Sequence, residues 1–530
     1  MSEKIDVKTL FDKKYDYLIY KDKIDIDDIV KDEELTLICA DFYGIQNFIF
    51  ENVPSSKAYK VLRAKSAYVQ IFTKVLAKYI VELLDLEEKN IIFSEAGKIE
   101  ILSTKVDDEK IKQIQKELDE HFIKEFFALA GVNLVSINTS KASLKNPKEF
   151  KTLREKLDEK LEFAKFHKFD LQNQNTILEQ TEMPTNQTLC ITCGIRKVKE
   201  NSEVCETCDK FIILGQELTT KNSMKISKEK SKIDIFQDYF TSFKDEEDKE
   251  YKSLEKFWKI KSYVKADDDG MPYSFDDLAE ESKGAENIAI LKGDVDSLGN
   301  FIKDKSNALD SYENYIYLAQ TLNNFFTIKV KELLEKDYKN TYVVFTGGDD
   351  FFIIGAWNEI IKLAKDIYEK FKNFTSEKLT LSVGIMLSKA NVPISYMYTK
   401  VEELLDESKR NKEKDSITLF SQTVTWQEYI DNHKILYDKL ENMSEEDKKS
   451  AFFYNLLELI EMSIRLKEKS SIDIKDAMWK SKLNYSFRRN IKNQDEELFK
   501  VLNEQIEKNP KATKMIVSEF IYKRRNNGRN

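Results

Sequence analysis

The sequence is short of histidine, of cysteine and of long apolar runs. Its 530 residues include three histidines, none followed by aspartate, so catalysis centred on histidine is not expected. No run of about eighteen apolar residues could form a membrane-spanning helix, and the N-terminus has no apolar signal region. Five cysteines without a secretory signal favour free thiols or metal ligands over disulfides. We therefore expect a cytoplasmic protein without a membrane partner.

A strong excess of one charge is also missing. The 85 basic and 94 acidic residues leave a net charge of −9, and 41% of the chain is hydrophobic. This balance neither indicates nor excludes nucleic-acid binding, which depends on local basic surface. At about 150 residues per domain, the length predicts three or four domains.

One stretch, residues 342–355 (YVVFTGGDDFFIIG), predicts a hairpin of two buried strands around a glycine pair. The residues of the turn are Gly347, Gly348, Asp349 and Asp350. Two carboxylates beside buried strands repel each other and lose solvation unless a cation compensates them. A Mg²⁺ site is the interpretation that this string favours. An exposed, aspartate-rich turn is the alternative.

The chain contains an internal repeat. Residues 41–49 (DFYGIQNFI) align without gaps on residues 294–302 (DVDSLGNFI), with four identical positions. The same alignment extends to the hairpins, where it pairs Gly97 with Asp349 and Lys98 with Asp350. Order, element type and spacing agree together, which predicts two copies of one β–α–α–β–β unit. The second copy keeps the carboxylates and the first has lost them.

In the second copy, Asp294 ends a predicted strand and the hairpin aspartates follow on a neighbouring strand. If these strands are adjacent, three carboxylates converge at one edge of the sheet: Asp294, Asp349 and Asp350. Such a group can hold two Mg²⁺ ions about 3.5–4 Å apart, an arrangement suited to in-line attack at phosphorus.

Neighbouring residues are assigned to nucleotide binding. Gly347 and Gly348 would let the backbone approach a nucleotide without side-chain obstruction. Asp296 and Ser297 follow the strand that carries Asp294. At this point Asp296 is equally well a further metal ligand or a solvated side chain.

Four of the cysteines form two closely spaced pairs. The pairs are Cys190 with Cys193 and Cys205 with Cys208, and eleven residues separate them. This spacing is typical of a tetrahedral thiolate Zn²⁺ site. Four thiolates leave no open coordination position, which predicts a structural role. Cys39 lies in an apolar strand and is interpreted as an inert buried thiol.

Taken together, GDVDSLG, TGGDD, the two CxxC pairs and the leading DFYGIQNFIF…SKAYKVLRAKSAY resemble the large subunit of type III-A CRISPR (Csm) effector complexes, over about residues 35–530. The resemblance implies synthesis of cyclic oligoadenylates from ATP, switched on when guide RNA pairs with target RNA. The implied partners are ATP, crRNA, target RNA and the small and backbone Csm-type subunits.

The resemblance also implies roles for particular residues. Three would be the catalytic ligands of Mg²⁺ or Mn²⁺: Asp294, Asp349 and Asp350. Lys409 corresponds to a lysine that approaches the triphosphate in nucleotide cyclases of the GGDEF kind. Ser94 and Gly97 correspond to a small-residue turn that seats a second ATP, although this chain has SEAGK where the family has a run of glycines.

The implied fold class is α+β and multidomain, with two ferredoxin-like palm domains, a zinc-binding linker and an α-helical C-terminal domain. Charged residues 219–285 are interpreted as linker and irregular helix. The predicted parts are an N-terminal lead (1–34), a degenerate first palm (35–180), a linker or helical part with the Cys₄ zinc site (181–284), an active second palm (285–425) and a helical C-terminal part (426–530).

One departure from the family pattern affects the predicted activity. Family members usually begin with a histidine–aspartate nuclease domain, whereas this sequence starts almost directly at the first palm and has no His-Asp pair. We therefore expect no metal-dependent DNase activity from it. Two other hypotheses stay open: a catalytically silent, crRNA-binding scaffold subunit, and a stand-alone GGDEF-like dinucleotide cyclase.

Overall fold

The structure is a computed structural model of the 530-residue chain. It describes residues 7–51, 53, 58–166, 188–245, 251–253, 263–267, 271–303, 311–412, 414–468, 473–493 and 495–525. The predicted boundary between the first palm and the linker, at residues 180 and 181, lies outside the described ranges, as does the end of the basic C-terminal tail.

The N-terminal lead and the first palm precede the cysteine cluster. Their elements are 3₁₀ helices Val7–Thr9 and Lys13–Leu18, α1 (Ile26–Ile29), β1 (Glu34–Tyr43), α2 (Ile45–Phe50), α3 (Ala58–Leu83), a 3₁₀ helix Glu88–Asn90, β2 (Ile91–Glu95), β3 (Lys98–Ser103), α4 (Asp108–Phe126), β4 (Gly131–Ser140), α5 (Lys141–Lys145) and α6 (Pro147–Phe166).

The middle segment contains a sheet where irregular helix was expected. Its elements are α7 (Glu206–Thr220), β5 (Ser223–Ser227), β6 (Ile233–Phe236), β7 (Tyr239–Lys244), β8 (Lys252–Ser253) and α8 (Phe275–Glu280). The four strands form one antiparallel sheet in the order β6-β7-β5-β8. The prediction of linker and irregular helix is wrong for these strands. The segment is highly charged, but it contains short runs such as SMKIS, whose apolar residues recur at every second position, as in a strand with one buried face.

The second palm and the C-terminal helices follow. Their elements are β9 (Ile288–Val295), α9 (Leu298–Lys303), α10 (Tyr312–Asn324), a π-helical turn Phe325–Lys329, α11 (Val330–Asp337), β10 (Thr341–Gly347), β11 (Asp350–Ala356), α12 (Trp357–Phe374), β12 (Leu381–Ser388), α13 (Ile394–Arg410), β13 (Ser416–Leu419), β14 (Gln422–Thr425), α14 (Trp426–Glu441), α15 (Ser450–Glu468), α16 (Ile474–Ala477), α17 (Trp479–Asn490), α18 (Glu496–Lys508) and α19 (Pro510–Arg524).

The two palms share one topology, which confirms the internal repeat. The first sheet has the strand order β2-β3-β1-β4, and the second has β10-β11-β9-β12 followed by the added strands β13 and β14. The register agrees as well, because Asp41 lies opposite Lys98 in the first sheet and Asp294 lies opposite Asp350 in the second. The predicted fold class, α+β with two palms and a helical C-terminal region, is confirmed.

Both faces of the second palm's sheet are covered. Along β9, Ala289 and Leu291 belong to a core shared with helices α10, α12 and the C-terminal helices. Ile288 and Ile290 point to the other face, into a core shared with helix α3 and the sheet of the first palm. A sheet buried on both sides positions its strand ends rigidly. Across the described residues, every helix is either too short or too polar to cross a lipid bilayer.

Candidate active site

The turn between β10 and β11 depends on its two glycines. Gly347 (φ +151°) and Gly348 (φ +67°) both adopt backbone conformations that disfavour side chains. The N–H of Gly348 donates to Oδ1 of Asn323 at 3.0 Å, which fixes the turn against the end of helix α10. A Cβ at Gly348 would meet no atom within 4 Å, so the turn faces open space.

The three predicted carboxylates lie at one edge of the sheet. Asp294 on β9 is the direct register partner of Asp350 on β11. Asp349 sits in the turn, and its carbonyl oxygen accepts from the N–H of Val295 at 3.0 Å. The expected adjacency of the two strands is therefore confirmed.

Electrostatics at this edge disfavour two negative charges. Burial, together with the nearby charge of Asp349, raises the pKa of Asp350 to about 7, although Lys292 opposes the shift. Burial and Asp349 likewise raise the pKa of Asp294 to about 6, against the effect of Lys409. Carboxylates held in this way gain from a bound cation.

In this structure protein cations partly supply that compensation. Lys409, on helix α13, forms an ion pair with Asp294. The ammonium of Lys292, 2% exposed, pairs with Glu402 on the same helix. Among the described residues, the four clustered cysteines are the only group of three or more histidine, cysteine or acidic residues whose ligand atoms all lie within 4.8 Å of one another, so the three aspartates are not drawn that close.

Asp296 and Ser297 lie beside this edge in different environments. Asp296 is buried and not solvated, and its Oδ2 accepts from the hydroxyl of Thr380 at 2.8 Å and from the N–H of Asp415 at 3.0 Å. Its other oxygen, Oδ1, is buried without a hydrogen-bond partner among the described residues. Ser297 (φ +55°) accepts from the ammonium of Lys414 at 2.7 Å.

The corresponding hairpin of the first palm has Gly97 and Lys98 in place of the two hairpin aspartates, and a further lysine lies beside it. Lys74 on helix α3 donates to the hydroxyl of Ser94 at 3.0 Å and to Glu95 at 2.8 Å. The hairpin turn is tight, because Gly97 (φ +80°) lies so close to Ile45 that a Cβ would be 2.7 Å from its Cδ1. A cavity of about 620 Å³ opens here, lined by Ser94, Glu95, Lys74 and residues of β5.

The cysteine cluster fits a tetrahedral metal. The four buried sulfur atoms lie within 4.8 Å of one another. Cys205 caps the N-terminus of helix α7, and its sulfur accepts from the N–H of Cys208 at 3.4 Å. Hydrogen bonding with Cys205 lowers the pKa of Cys193, whereas hydrogen bonding with Cys193 raises that of Cys208. The fifth cysteine, Cys39, is buried in β1, and burial raises its pKa, as expected for an inert thiol.

Four residues of the site were missed by the sequence reasoning. Each of them contacts the carboxylate edge or a group that holds it: Gln46, Lys292, Glu402 and Asn323. Lys292 had a signal, since it is a lysine in the otherwise apolar run that begins β9. Gln46 had none beyond its place in the repeat.

We expect the Asp350→Asn variant to be more stable than the parent at pH 8 without added Mg²⁺ or Mn²⁺. Aspartate titrates near 4 in an unfolded chain but near 7 at this site. The folded state therefore holds the proton more tightly, and the contribution of Asp350 to the free energy of unfolding falls as the pH rises from about 4 to about 7. Thermal unfolding should show the variant melting several degrees higher at pH 8.

That difference should shrink towards pH 5, and saturating Mn²⁺ should abolish it by compensating the parent's carboxylates. Equal melting temperatures of parent and variant at pH 8 would contradict this electrostatic account.

Comparison with known proteins agrees with this geometry. The family model for the second palm domain of Cas10/Cmr2 matches residues 287–418, and that for domain B of the Csm1 subunit matches residues 34–183. Both copies of the repeat therefore resemble domains of Cas10/Csm1 proteins. Together the two matches cover both copies of the repeat and more than half of the sequence.

Curated relatives carry the family name over most of this chain. The Cas10/Csm1 protein (subtype III-A) of Methanocaldococcus jannaschii, named a CRISPR system single-strand-specific deoxyribonuclease, is 27% identical over 78% of this chain and 62% of its own length. The protein of the same name from Enterococcus italicus is 26% identical over 81% of this chain and 60% of its own. The chain thus spans about three fifths of the length of these relatives.

Solved structures share the fold. A Csm1–Csm4 cassette in complex with cA3 superposes with a TM-score of 0.73 at 19% identity, covering 94% of this chain and 70% of that one. A Csm1–Csm4 cassette in complex with one ATP gives a TM-score of 0.71 at 21% identity, covering 94% and 71%.

Proposed function

We propose that the chain forms cyclic oligoadenylates from ATP by 3′–5′ nucleotidyl transfer, within a type III-A CRISPR effector complex. The observation that carries the proposal is the pairing of Asp294 with Asp350 beside a glycine turn, in the one palm of two that keeps its carboxylates. Similarity to Cas10/Csm1 proteins supports the substrate class, since solved neighbours are described with ATP and with cA3.

Asp294, Asp349 and Asp350 would hold Mg²⁺ or Mn²⁺, and their chemistry fits hard cations, which prefer oxygen ligands. Bound cations would stabilise charge at the α-phosphate and lower the pKa of the attacking hydroxyl. The raised pKa values of Asp294 and Asp350 indicate that the protein's own cations compensate the site only in part.

The chain's own residues would bind and orient the nucleotide. Lys409 lies beside Asp294 and can direct its charge to a triphosphate. The open space at Gly348 admits a nucleotide close to the backbone. In each transfer the 3′ oxygen of one adenylate forms a bond to the α-phosphorus of the next ATP, pyrophosphate leaves and the hydroxyl proton is lost. In the last step the 3′ oxygen of the oligoadenylate forms a bond to the α-phosphorus of its own 5′-triphosphate, the hydroxyl proton and pyrophosphate leave, and the ring is closed.

The first palm would supply the second nucleotide seat. Ser94 and Gly97 lie on the hairpin that corresponds to the carboxylate hairpin, and the cavity beside it is lined by Ser94 and Lys74. Burial lowers the pKa of Lys74 to about 8, so it is largely charged at neutral pH and suits a phosphate group.

The four clustered cysteines would hold a structural Zn²⁺ between the palms. We further propose crRNA, target RNA and Csm-type subunits as partners, because the relatives belong to subtype III-A and the solved neighbours are Csm1–Csm4 assemblies. The deoxyribonuclease activity in the relatives' names is not part of this proposal, and the absence of DNase activity from this chain stays a prediction.

The test uses the full chain assembled with crRNA and Csm-type subunits, supplied with ATP, Mg²⁺ and matching target RNA. Mass spectrometry should detect cyclic oligoadenylates with target RNA and none without it. A silent scaffold would assemble and bind RNA but leave ATP unchanged. A dinucleotide cyclase of the GGDEF kind would use GTP in preference to ATP, and either result would overturn the proposal.

A further inference from the structure

Gln46 reaches from the first palm to the carboxylate edge of the second. It lies on the short helix α2, which follows β1 through Gly44 in a left-handed conformation (φ +71°). A side chain at Gly44 would be forced against the carbonyl oxygen of Leu129, at 2.9 Å, so this tight turn needs glycine. The turn aims Gln46 out of its own sheet and across the interface between the palms.

Two donors fix the orientation of the Gln46 amide. The buried ammonium of Lys292 donates to Oε1 at 2.9 Å, and the hydroxyl of Tyr398 donates to the same atom at 2.6 Å. An ammonium has no acceptor, so the atom it contacts must be the oxygen of the amide. The amide nitrogen is thereby turned towards Asp350, with Nε2 3.4 Å from Oδ2.

The surroundings of the amide hold it in place. The ring of Tyr398 stacks on Phe50 of the first palm with centroids 4.4 Å apart. Lys292 is held from its other side by Glu402. Because each donor to Oε1 is itself fixed by packing or by an ion pair, the amide nitrogen has little freedom to turn away from Asp350.

The repeat provides an internal comparison. The residue that aligns with Gln46 in the second palm is Gly299, which has no side chain to send back across the interface. The aspartate of the first palm, Asp41, pairs with Lys165 at 3.4 Å instead. The Gln46 amide therefore contacts only the hairpin that keeps its carboxylates. Packing between two similar domains would not by itself require this asymmetry.

We propose that Gln46 is a positioning residue through which the first palm sets the orientation of Asp350 for cation binding. This inference rests on the proposed function for the role of Asp350. It gives the degenerate palm a part in the chemistry that is separate from seating a nucleotide.

The first test compares Gln46→Met with the parent. Methionine keeps the length of the side chain but offers no N–H to Asp350 and no oxygen to Lys292. In the assembled complex we expect kcat to fall about tenfold while the KM for ATP stays within about twofold, because the change affects an aligned carboxylate and not ATP binding. In the full chain alone, Mn²⁺ binding followed by EPR should weaken about fivefold.

Gln46→Glu separates positioning from packing. Glutamate still accepts from Lys292 and Tyr398, but it places an oxygen, not an N–H, against Asp350. A role limited to the interface predicts near-parental kcat for this variant, whereas positioning predicts a loss at least as large as that of Gln46→Met. Gln427→Met is the matched control, because Gln427 makes the same type of contact away from the site. Its amide nitrogen donates to the exposed carboxylate of Asp431 at 2.8 Å.

A double variant adds a further readout. If Tyr398 acts through the amide, Tyr398→Phe should lower kcat less than Gln46→Met does, and combining the two changes should cost no more than Gln46→Met alone.

The inference is overturned if Gln46→Met leaves both kcat and Mn²⁺ affinity within twofold of the parent, or if Gln46→Glu matches the parent. A parent that binds Mn²⁺ yet makes no cyclic product would overturn the proposed function, while the Mn²⁺ affinity of Gln46→Met would still decide this inference. A parent that binds Mn²⁺ no better than Asp350→Ala would overturn both.

Discussion

Asp349→Ala/Asp350→Ala is expected to form at least about 1,000-fold less cyclic oligoadenylate than the parent, in the assembled complex with target RNA. Both carboxylates belong to the edge where burial and mutual repulsion leave charge uncompensated. Removing them takes away the ligands proposed for the catalytic cations, and charge stabilisation is commonly the largest single contribution to catalysis. Product is measured by mass spectrometry after a fixed time. Yield equal to the parent's would refute the assignment.

The repeat supplies a matched pair of controls for this prediction. Asp294→Asn removes one charge from the proposed site and should lower the rate by about 100-fold. Asp41→Asn makes the same change at the equivalent position of the first palm, where the residue opposite on the neighbouring strand is Lys98 and not an aspartate. The second variant should stay within about threefold of the parent. Similar losses in both would mean that the palms share the chemistry equally.

Cys190→Ser is expected to release the zinc and to destabilise the protein strongly. The four sulfur atoms already lie within 4.8 Å of one another, and structural zinc contributes on the order of 10 kcal/mol in small sites. The parent should contain close to one zinc per chain by elemental analysis, and the variant close to none. The melting temperature should fall by more than about 5 °C.

Cys39→Ala is the control for the loss of a buried sulfur. Cys39 is as buried as the clustered cysteines but lies in β1, away from the cluster. The Cys39→Ala variant should keep its zinc, and its free energy of unfolding should fall by about 1 kcal/mol because of the small cavity alone. A Cys190→Ser variant that is zinc-free yet melts like the parent would remove the structural role from the cluster.

Much of the site was predictable because its signals are local. A glycine pair between two apolar runs specifies a hairpin, and the helix over residues 357–374 follows from the spacing of its apolar residues. The repeat went further, because aligning Lys98 with Asp350 anticipated the registers that pair them with Asp41 and Asp294.

What could not be predicted depends on packing between distant segments. Gln46 acts on a residue about 300 positions away, and no pattern around it indicates that contact. The ion pair of Lys409 with Asp294 likewise forms only once helix α13 packs on β9. The hairpin β13–β14 lacks the glycine signal of a tight turn, because its turn uses Phe420 and Ser421 at positive φ.

The coverage of the second palm's sheet on both faces has a consequence for how the protein can be divided. Alternate residues of β9 contribute to two different cores, one built with the C-terminal helices and the other with the first palm. Excising residues 285–425 would expose both apolar faces to water at once. The smallest autonomous folding unit that contains the carboxylates is therefore larger than one copy of the repeat. It needs the first palm on one side of the sheet and the C-terminal helices on the other.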